Sequence, residues 1–276
     1  MPLVTMNEIL PAARKAGRGV GAFNVANLET VISVLRAAEQ EKSPVIVQVY
    51  QRLFGDERAS LIGAMVSRWA ATSELPIALH LDHGVSVEQV QQAIDVGYTS
   101  VMLDSSQLPF EENVALTQEA VKLAHRAGVT IEAEIGHVPF GDGTVKLSTV
   151  TEVVKFVEQT GVDALAVSIG TAHGFYKTKP VLDLERARTI GENLEIPMVL
   201  HGGSGTPLDQ VREAIRCGFA KINVATELQH TFVQSIAGEI DKNGDKFLPV
   251  DVYFKPVEEH VCDYVRRKIR DFRGDA

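Results

Sequence analysis

Short apolar runs alternate along the chain with longer segments whose apolar positions recur every three or four residues, the strand and helix periods respectively. Thr5 to Gly17 opens with Thr5 and Glu8 spaced as a capping box and closes on a glycine. GVGAFNV (19–25) follows as a strand, and Asn27 is placed to cap a helix whose Leu28, Val31, Ile32, Leu35 and Ala38 share one face. PVIVQVY (44–50) is a continuous apolar strand, after which residues 57–73 return to helical spacing through Leu61, Met65 and Trp69.

The same alternation continues to the end. IALHLDHG (77–84) precedes a helix with Ser86 and Gln89 as its capping box and Gly97 as its stop. SVMLDSS (100–106) leads into a helix over Asn113 to Ala127, and VTIEAEIG (129–136) into one bearing Val150, Val153, Val154 and Val157. ALAVSIG (164–170) precedes a helix around Leu182 to Ile190. IPMVLHGGS (196–204) runs into Thr206-Pro207, a cap with proline at the first helical position. KINVATE (221–227) opens the last repeat, and residues 257–272 form a terminal amphipathic helix.

Eight strands, each followed by a helix, with apolar interiors and no break in composition, predict an α/β chain folded as a single (β/α)8 TIM barrel over residues 1–276. The bulk numbers narrow the function. Apolar residues make up 45% and charged residues 23%, an ordinary globular balance. A net charge of −9 disfavours nucleic acid, whose phosphates need a basic surface. The two cysteines, Cys217 and Cys262, read as reduced thiols, and no run is long enough to span a membrane. The expected location is the cytoplasm.

In such barrels the active site gathers at the C-terminal ends of the strands. Read in order, those ends carry Asn24, Gln48 with Tyr50, Asp82 with His83, Asp104, Glu134, His173, His201, and Asn223 with Thr226. His83, His173 and His201 follow the third, sixth and seventh strands. Brought together by barrel closure, three imidazoles are the ligand set of a catalytic zinc with an open coordination position. His80 lies two residues before Asp82, on the same side and deeper, and reads as scaffold; His125, His230 and His260 read as surface residues of helices. The glycine-rich turn Gly202-Gly203-Ser204-Gly205 and the stretch Asn223-Val224-Ala225-Thr226 follow the last two strands, the usual phosphate-binding corner of these barrels. No lysine stands at a strand tip, Lys221 being read at the opposite end of the last strand. A Schiff base is therefore poorly supported and a metal is the expected electrophile.

These segments resemble a known family, the class II metal-dependent ketose-bisphosphate aldolases of the fructose- and tagatose-bisphosphate group. The resemblance is carried by GAFNVANLE (21–29), SPVIVQV (43–49), ALHLDHG (78–84), SVMLDSS (100–106), IEAEIGH (131–137), GVDALAVSIGTAHG (161–174), VLHGGSG (199–205) and KINVATEL (221–228). It implies zinc on His83, His173 and His201, and proton transfer at the C4 hydroxyl by Asp82. It also implies an enediolate positioned by Asn223, and phosphate held by Gly174, Gly202 to Ser204 and Asn223 to Thr226. Asp104 and Glu134 would stand behind the metal or offer it an alternate position. A sodium or potassium ion beside the phosphate, a homodimer or homotetramer, and in some relatives a second subunit are further implications.

Three departures from the pattern stand out. The loop 137–148 lacks the family's Glu-Asp pair, leaving Asp142 as the nearest substitute; Tyr50 stands where a small hydroxyl residue is usual, and Ser105 where glycine is usual. The expected reaction is reversible cleavage of a ketose 1,6-bisphosphate to dihydroxyacetone phosphate and an aldehyde such as glyceraldehyde 3-phosphate. The alternatives are a related aldolase for a different ketose 1-phosphate, or a non-catalytic sugar-phosphate-binding partner subunit.

Overall fold

The computed structural model describes residues 3–136, 147–172, 174 and 179–274. A short 3-10 turn (Met6–Glu8) and α1 (Leu10–Lys15) lead into eight parallel strands: β1 (Val20–Asn24), β2 (Val45–Tyr50), β3 (Ile77–Gly84), β4 (Ser100–Leu103), β5 (Thr130–Ile135), β6 (Ala164–Val167), β7 (Met198–Leu200) and β8 (Phe219–Val224). They pair in sequence order and close through β1 and β8, giving the eight-stranded barrel the sequence predicts. Between and after them run α2 (Leu28–Glu41), α3 (Arg58–Ala70), α4 (Val87–Asp95), α5 (Phe110–Arg126), α6 (Val150–Thr160), α7 (Leu184–Asn193), α8 (Leu208–Arg216), α9 (Thr226–Asn243) and α10 (Val250–Arg273).

The expected caps at the first helices are present. The Thr5–Glu8 box closes the first turn, and the Asn27 side chain accepts from the Thr30 backbone N–H. Two others form differently. Ser86 accepts from the Gln89 N–H, but the Gln89 side chain reaches the Val85 N–H, one residue short of the reciprocal bond. Thr206 donates to the Gly202 carbonyl instead of capping α8, so its hydroxyl braces the turn after β7.

Two apolar clusters divide the work. Outward strand residues such as Val47, Leu79, Val101, Ile131 and Ile222 pack with Leu35, Ile62, Val90 and Phe156 of the surrounding helices. Each such fully buried side chain contributes about 1.5–3 kcal/mol of transfer free energy. The inward set is small and different: Ala22, Ile46, Ala78, Ala164, Ala166 and Ala220 meet Val4, Met6, Ile9 and Leu10, which plug the bottom of the barrel.

Above that plug the lumen is not apolar, contrary to the expectation from the strand sequences. Gln48, His80, Glu132 and Lys221 are all fully buried there. Lys221 is the third residue of β8, and its Nζ lies 2.9 Å from Glu132 Oε2 and 3.5 Å from His80 Nε2. The strands read as apolar runs because their outward residues are continuous with the helices; the polar residues occupy the alternate, inward positions. Parallel register sets Gln48 beside His80 and His80 beside Ser100, whose hydroxyl is 2.8 Å from His80 Nδ1.

Candidate active site

A strand that alternates strictly would send Asp82 and His83 to opposite faces. β3 breaks the alternation. Its register against β4 runs His80 to Ser100 and Leu81 to Val101, then jumps to Gly84 opposite Leu103. Asp82 and His83 thus both oppose Met102, a bulge of one extra residue. His83 takes φ +54°, a left-handed conformation uncommon for a non-glycine residue and often associated with functional sites. Gly84 completes the bend, because a Cβ there would lie 2.4 Å from the Met102 carbonyl oxygen.

The bulge delivers both side chains to the barrel rim. Asp82 Oδ2 accepts from Asn24 Nδ2 at 2.7 Å, and Asn24 Oδ1 accepts from Gln48 Nε2 at 2.6 Å. Asn223 Nδ2 approaches Asp82 Oδ1 at 3.4 Å from the other side. Burial pushes the Asp82 carboxyl up, but the positive charges of His83, Lys221 and His201 outweigh it and hold the group below its usual range. Asp82 is therefore a carboxylate, oriented by two amides.

Each histidine is backed by carboxylates. His83 Nδ1 lies 2.7 Å from Asp104 Oδ2, and Asp104 is in turn fixed by the Ser106 N–H and hydroxyl. His201 Nε2 lies 3.0 Å from Glu132 Oε1, and its Nδ1 lies 2.9 Å from Glu134 Oε2. Burial pushes the His201 imidazole down, yet the bonds to Glu132 and Glu134 lift it to about 10. Burial and the nearby Lys221 ammonium instead push His80 down to about 3. The lower histidine is thus a neutral strut, in keeping with its reading as scaffold.

Donor atoms of Asp82, His83 and His201 lie within 4.8 Å of one another, and so do those of His83, Asp104 and Glu134. The two imidazole rings are 4.6 Å apart between centroids. Imidazole nitrogens converging with carboxylates, each imidazole held by a further carboxylate, form a donor set that suits a divalent metal. His173 and Asp142 lie outside the described residues.

A cavity of about 380 Å³ opens over this cluster. Of the residues expected to hold phosphate, Gly174, Gly202, Ser204, Asn223, Ala225 and Thr226 line it. Gly203 and Val224 do not. Gly203 packs against β8, where a Cβ would meet the Asn223 carbonyl oxygen at 2.7 Å, and Val224 faces the helices. The strand expected over 221–227 ends at Val224, so Thr226 is the first residue of α9, whose N-terminus, with N–H groups that lack partners within the helix, stands at this corner. Ser204 Oγ accepts one of them, from Glu227 at 3.2 Å.

Sequence reasoning passed over several lining residues. Arg52, Gln229, His230 and Val233 face the same cavity, His230 being exposed as expected but standing at the mouth. Glu132 and Lys221 carry no motif of their own; the signal was their inward position between alternating apolar residues. Tyr50 stands with its ring 6.1 Å from that of His83, and both residues also line a second cavity of about 590 Å³ beside Asp104 and Ser105. Ser105 donates to Asn113 Oδ1 at 2.6 Å and is largely buried.

Among the described residues no helix is long and apolar enough to cross a membrane. The family model for fructose-bisphosphate aldolase class-II matches residues 4–275. The chain is 40% identical to a probable fructose-bisphosphate aldolase of Bacillus subtilis, with 99% of this chain and 98% of the relative covered. It is 38% identical to a 6-phospho-5-dehydro-2-deoxy-D-gluconate aldolase of the same organism, covering 99% and 96%. The crystal structure of the YdjI aldolase from Escherichia coli K12 superposes with a TM-score of 0.88 at 33% identity, covering 99% and 98%. With the match running nearly end to end on a barrel of the same architecture, this chain belongs to the class II fructose-bisphosphate aldolase family, enzymes that make and break carbon–carbon bonds.

Proposed function

We propose that this protein is a zinc-dependent aldolase that cleaves a ketose 1-phosphate or 1,6-bisphosphate reversibly to dihydroxyacetone phosphate and an aldehyde. The observation that carries the reading is the β3 bulge. It sets a carboxylate oriented by two amides beside an imidazole of the candidate metal cluster, both facing a cavity that the turn after β7 and the N-terminus of α9 also line.

His83 and His201 would hold the metal, with His173 as the third ligand expected from the family pattern and with Asp104, Glu132 and Glu134 fixing the two described rings. When bound, the zinc would act as a Lewis acid toward the oxygens of the three-carbon fragment. The rest falls to the chain. Gly202, Ser204 and the first N–H groups of α9 would bind the phosphate on C1, a dianion well matched to a helix N-terminus. Asp82 would take the proton of the C4 hydroxyl as the C3–C4 bond breaks, leaving an aldehyde at C4 and the electron pair on the phosphorylated fragment as an enediolate. Asn24 and Asn223 orient the carboxylate and so set the direction of that transfer. Asn223, whose amide faces the same space, would also donate to the enediolate oxygen.

The two named activities among the relatives, with the tagatose-type alternative of the family pattern, give the substrates to try first. Fructose and tagatose 1,6-bisphosphates would release glyceraldehyde 3-phosphate, and 6-phospho-5-dehydro-2-deoxy-D-gluconate a short aldehyde ending in a carboxylate. Cleavage assays across these three, on protein stripped with EDTA and restored with zinc, test the proposal. Turnover of at least one, lost on stripping and regained with zinc, supports it; metal-independent turnover, or binding without turnover, defeats it.

A further inference from the structure

At the end of the barrel opposite the catalytic rim, where the chain enters β1, four arginines surround a cavity of about 290 Å³. Arg18 comes from the turn between α1 and β1, Arg212 and Arg216 from α8, and Arg273 from the last turn of α10. Ile215 and Phe272 supply the apolar part of the wall, and among the described residues no carboxylate lines it. Such a gathering stands out in a chain with 36 acidic residues to 27 basic ones. The acids nearby do not neutralise it. Arg212 lies 3.6 Å from Asp271, Arg216 2.7 Å from Glu213 and Arg273 3.7 Å from Glu41. Glu213 is shared with Arg188, and Glu41 with Arg266 and Arg270, while Arg18 has no ion pair among the described residues.

Arginines beside helix C-termini commonly serve the carbonyls there. In this corner backbone donors already take most of them: the Ala13 carbonyl accepts from the Arg18 N–H at 3.0 Å, Phe272 from Gly19 at 2.9 Å, Ile215 from Gly218 at 3.0 Å and Arg270 from Gly274 at 3.1 Å. Arg212 and Arg273 each give a donor to a carbonyl, of Asp271 and Glu41, out of the five a guanidinium carries. No side-chain donor of Arg18 or Arg216 goes to a carbonyl among the described residues. We infer that this cavity is a second anion site, separate from the catalytic one, that takes a small phosphate-bearing molecule. A planar carboxylate engages one guanidinium fork, whereas a tetrahedral phosphate dianion presents oxygens in several directions and suits arginines arriving from three segments. The volume exceeds that of a lone phosphate group and leaves space for an organic part against Ile215 and Phe272. None of the four arginines lines the catalytic cavity, so the inference does not depend on the reaction proposed above.

Isothermal titration of the intact protein with inorganic phosphate, at neutral pH and constant ionic strength, tests this, with succinate as the dicarboxylate comparison. Phosphate can also enter the catalytic cavity, so the readout is the component of binding that R18Q and R216Q remove. The wild type should show such a component with a Kd of about 1 mM or tighter. It should weaken about fivefold or more in each variant, the scale of one partly solvated charge-assisted contact, and recover in part in R18K. Succinate should bind there more weakly than phosphate. Both variants change exposed side chains, and melting curves that match the wild type show that lost binding is not lost folding. Phosphate isotherms identical in the wild type, R18Q and R216Q overturn the inference, and so does succinate bound through Arg18 as tightly as phosphate.

Discussion

Glu132 Oε1 lies 3.0 Å from His201 Nε2, and both side chains are fully buried beneath the rim. The other carboxylate oxygen is 2.9 Å from Lys221 Nζ. One carboxylate thereby holds the imidazole by its far nitrogen, turning Nδ1 to the metal cluster, while the lysine neutralises the carboxylate in a place water does not reach. Removing either partner alone leaves a buried charge unpaired, which costs roughly 3–5 kcal/mol. Glu132→Gln and Lys221→Met should each lower thermal stability substantially, and the double variant should recover much of the loss. Zinc affinity should not recover with it: carboxylates behind a ligating histidine are worth about 10–100-fold in metal binding. Melting curves and chelator competition on the three variants separate the two effects, and a double variant with restored affinity would show that Glu132 serves only to satisfy Lys221.

The bulge in β3 can be tested at Gly84. A methyl group there would sit 2.4 Å from the Met102 carbonyl oxygen and 2.9 Å from Leu81 Cδ2, so the backbone must shift. Gly84→Ala should destabilise the protein by about 1–3 kcal/mol and reduce zinc content, because His83 would lose its placement. A variant with wild-type zinc content and turnover would show that the bend tolerates a side chain.

Asn24 links the barrel interior to Asp82 through Gln48. Asn24→Ala removes the 2.7 Å bond that orients the carboxylate and leaves KM for the phosphate end largely to other residues. Turnover should fall about 10–100-fold through kcat, the scale of a misplaced catalytic group, with KM within a few fold. A loss confined to KM would place Asn24 in binding instead.

Much of this was legible beforehand, and the parts that were not share a physical cause. The eight strands, their order and the rim residues follow from periodicity, because outward apolar faces and glycine stops are local signals. Asp82 beside His83 was legible as a pair, yet only the bulge explains how neighbours reach one face, and a bulge leaves no composition signature beyond Gly84. Lys221 was misplaced because a lysine near the start of an apolar run reads as a solvated end; its burial depends on Glu132, 89 residues earlier, which only closure of the barrel brings near. Arg52 carried no pattern at all, since a turn after a strand accommodates arginine freely.

Away from the site, Glu41 gathers Arg266 and Arg270 of α10 onto the end of α2, at 2.8 and 2.7 Å. The Arg270 hydrogen bond, aided by Arg266, holds the Glu41 carboxyl down at about 2. A group depressed in the folded state contributes stability above its unfolded value, near 4.3, and that contribution is lost as pH falls toward 2. Glu41→Gln should therefore lower stability at pH 7 by roughly 1–3 kcal/mol, with the difference from wild type shrinking as pH drops from 5 to 3. Denaturant titrations at several pH values check this, and a gap independent of pH would assign the loss to packing.

The central claim is that Asp82 moves the proton while the neighbouring histidines hold the metal. Zinc content and steady-state cleavage of the three candidate substrates, measured together on wild type and Asp82→Ala, test it most directly. The account predicts wild-type zinc content in the variant and a fall in kcat of about 10²–10⁴-fold. An Asp82→Ala protein that keeps its turnover, or that loses its zinc along with it, would contradict the assignment.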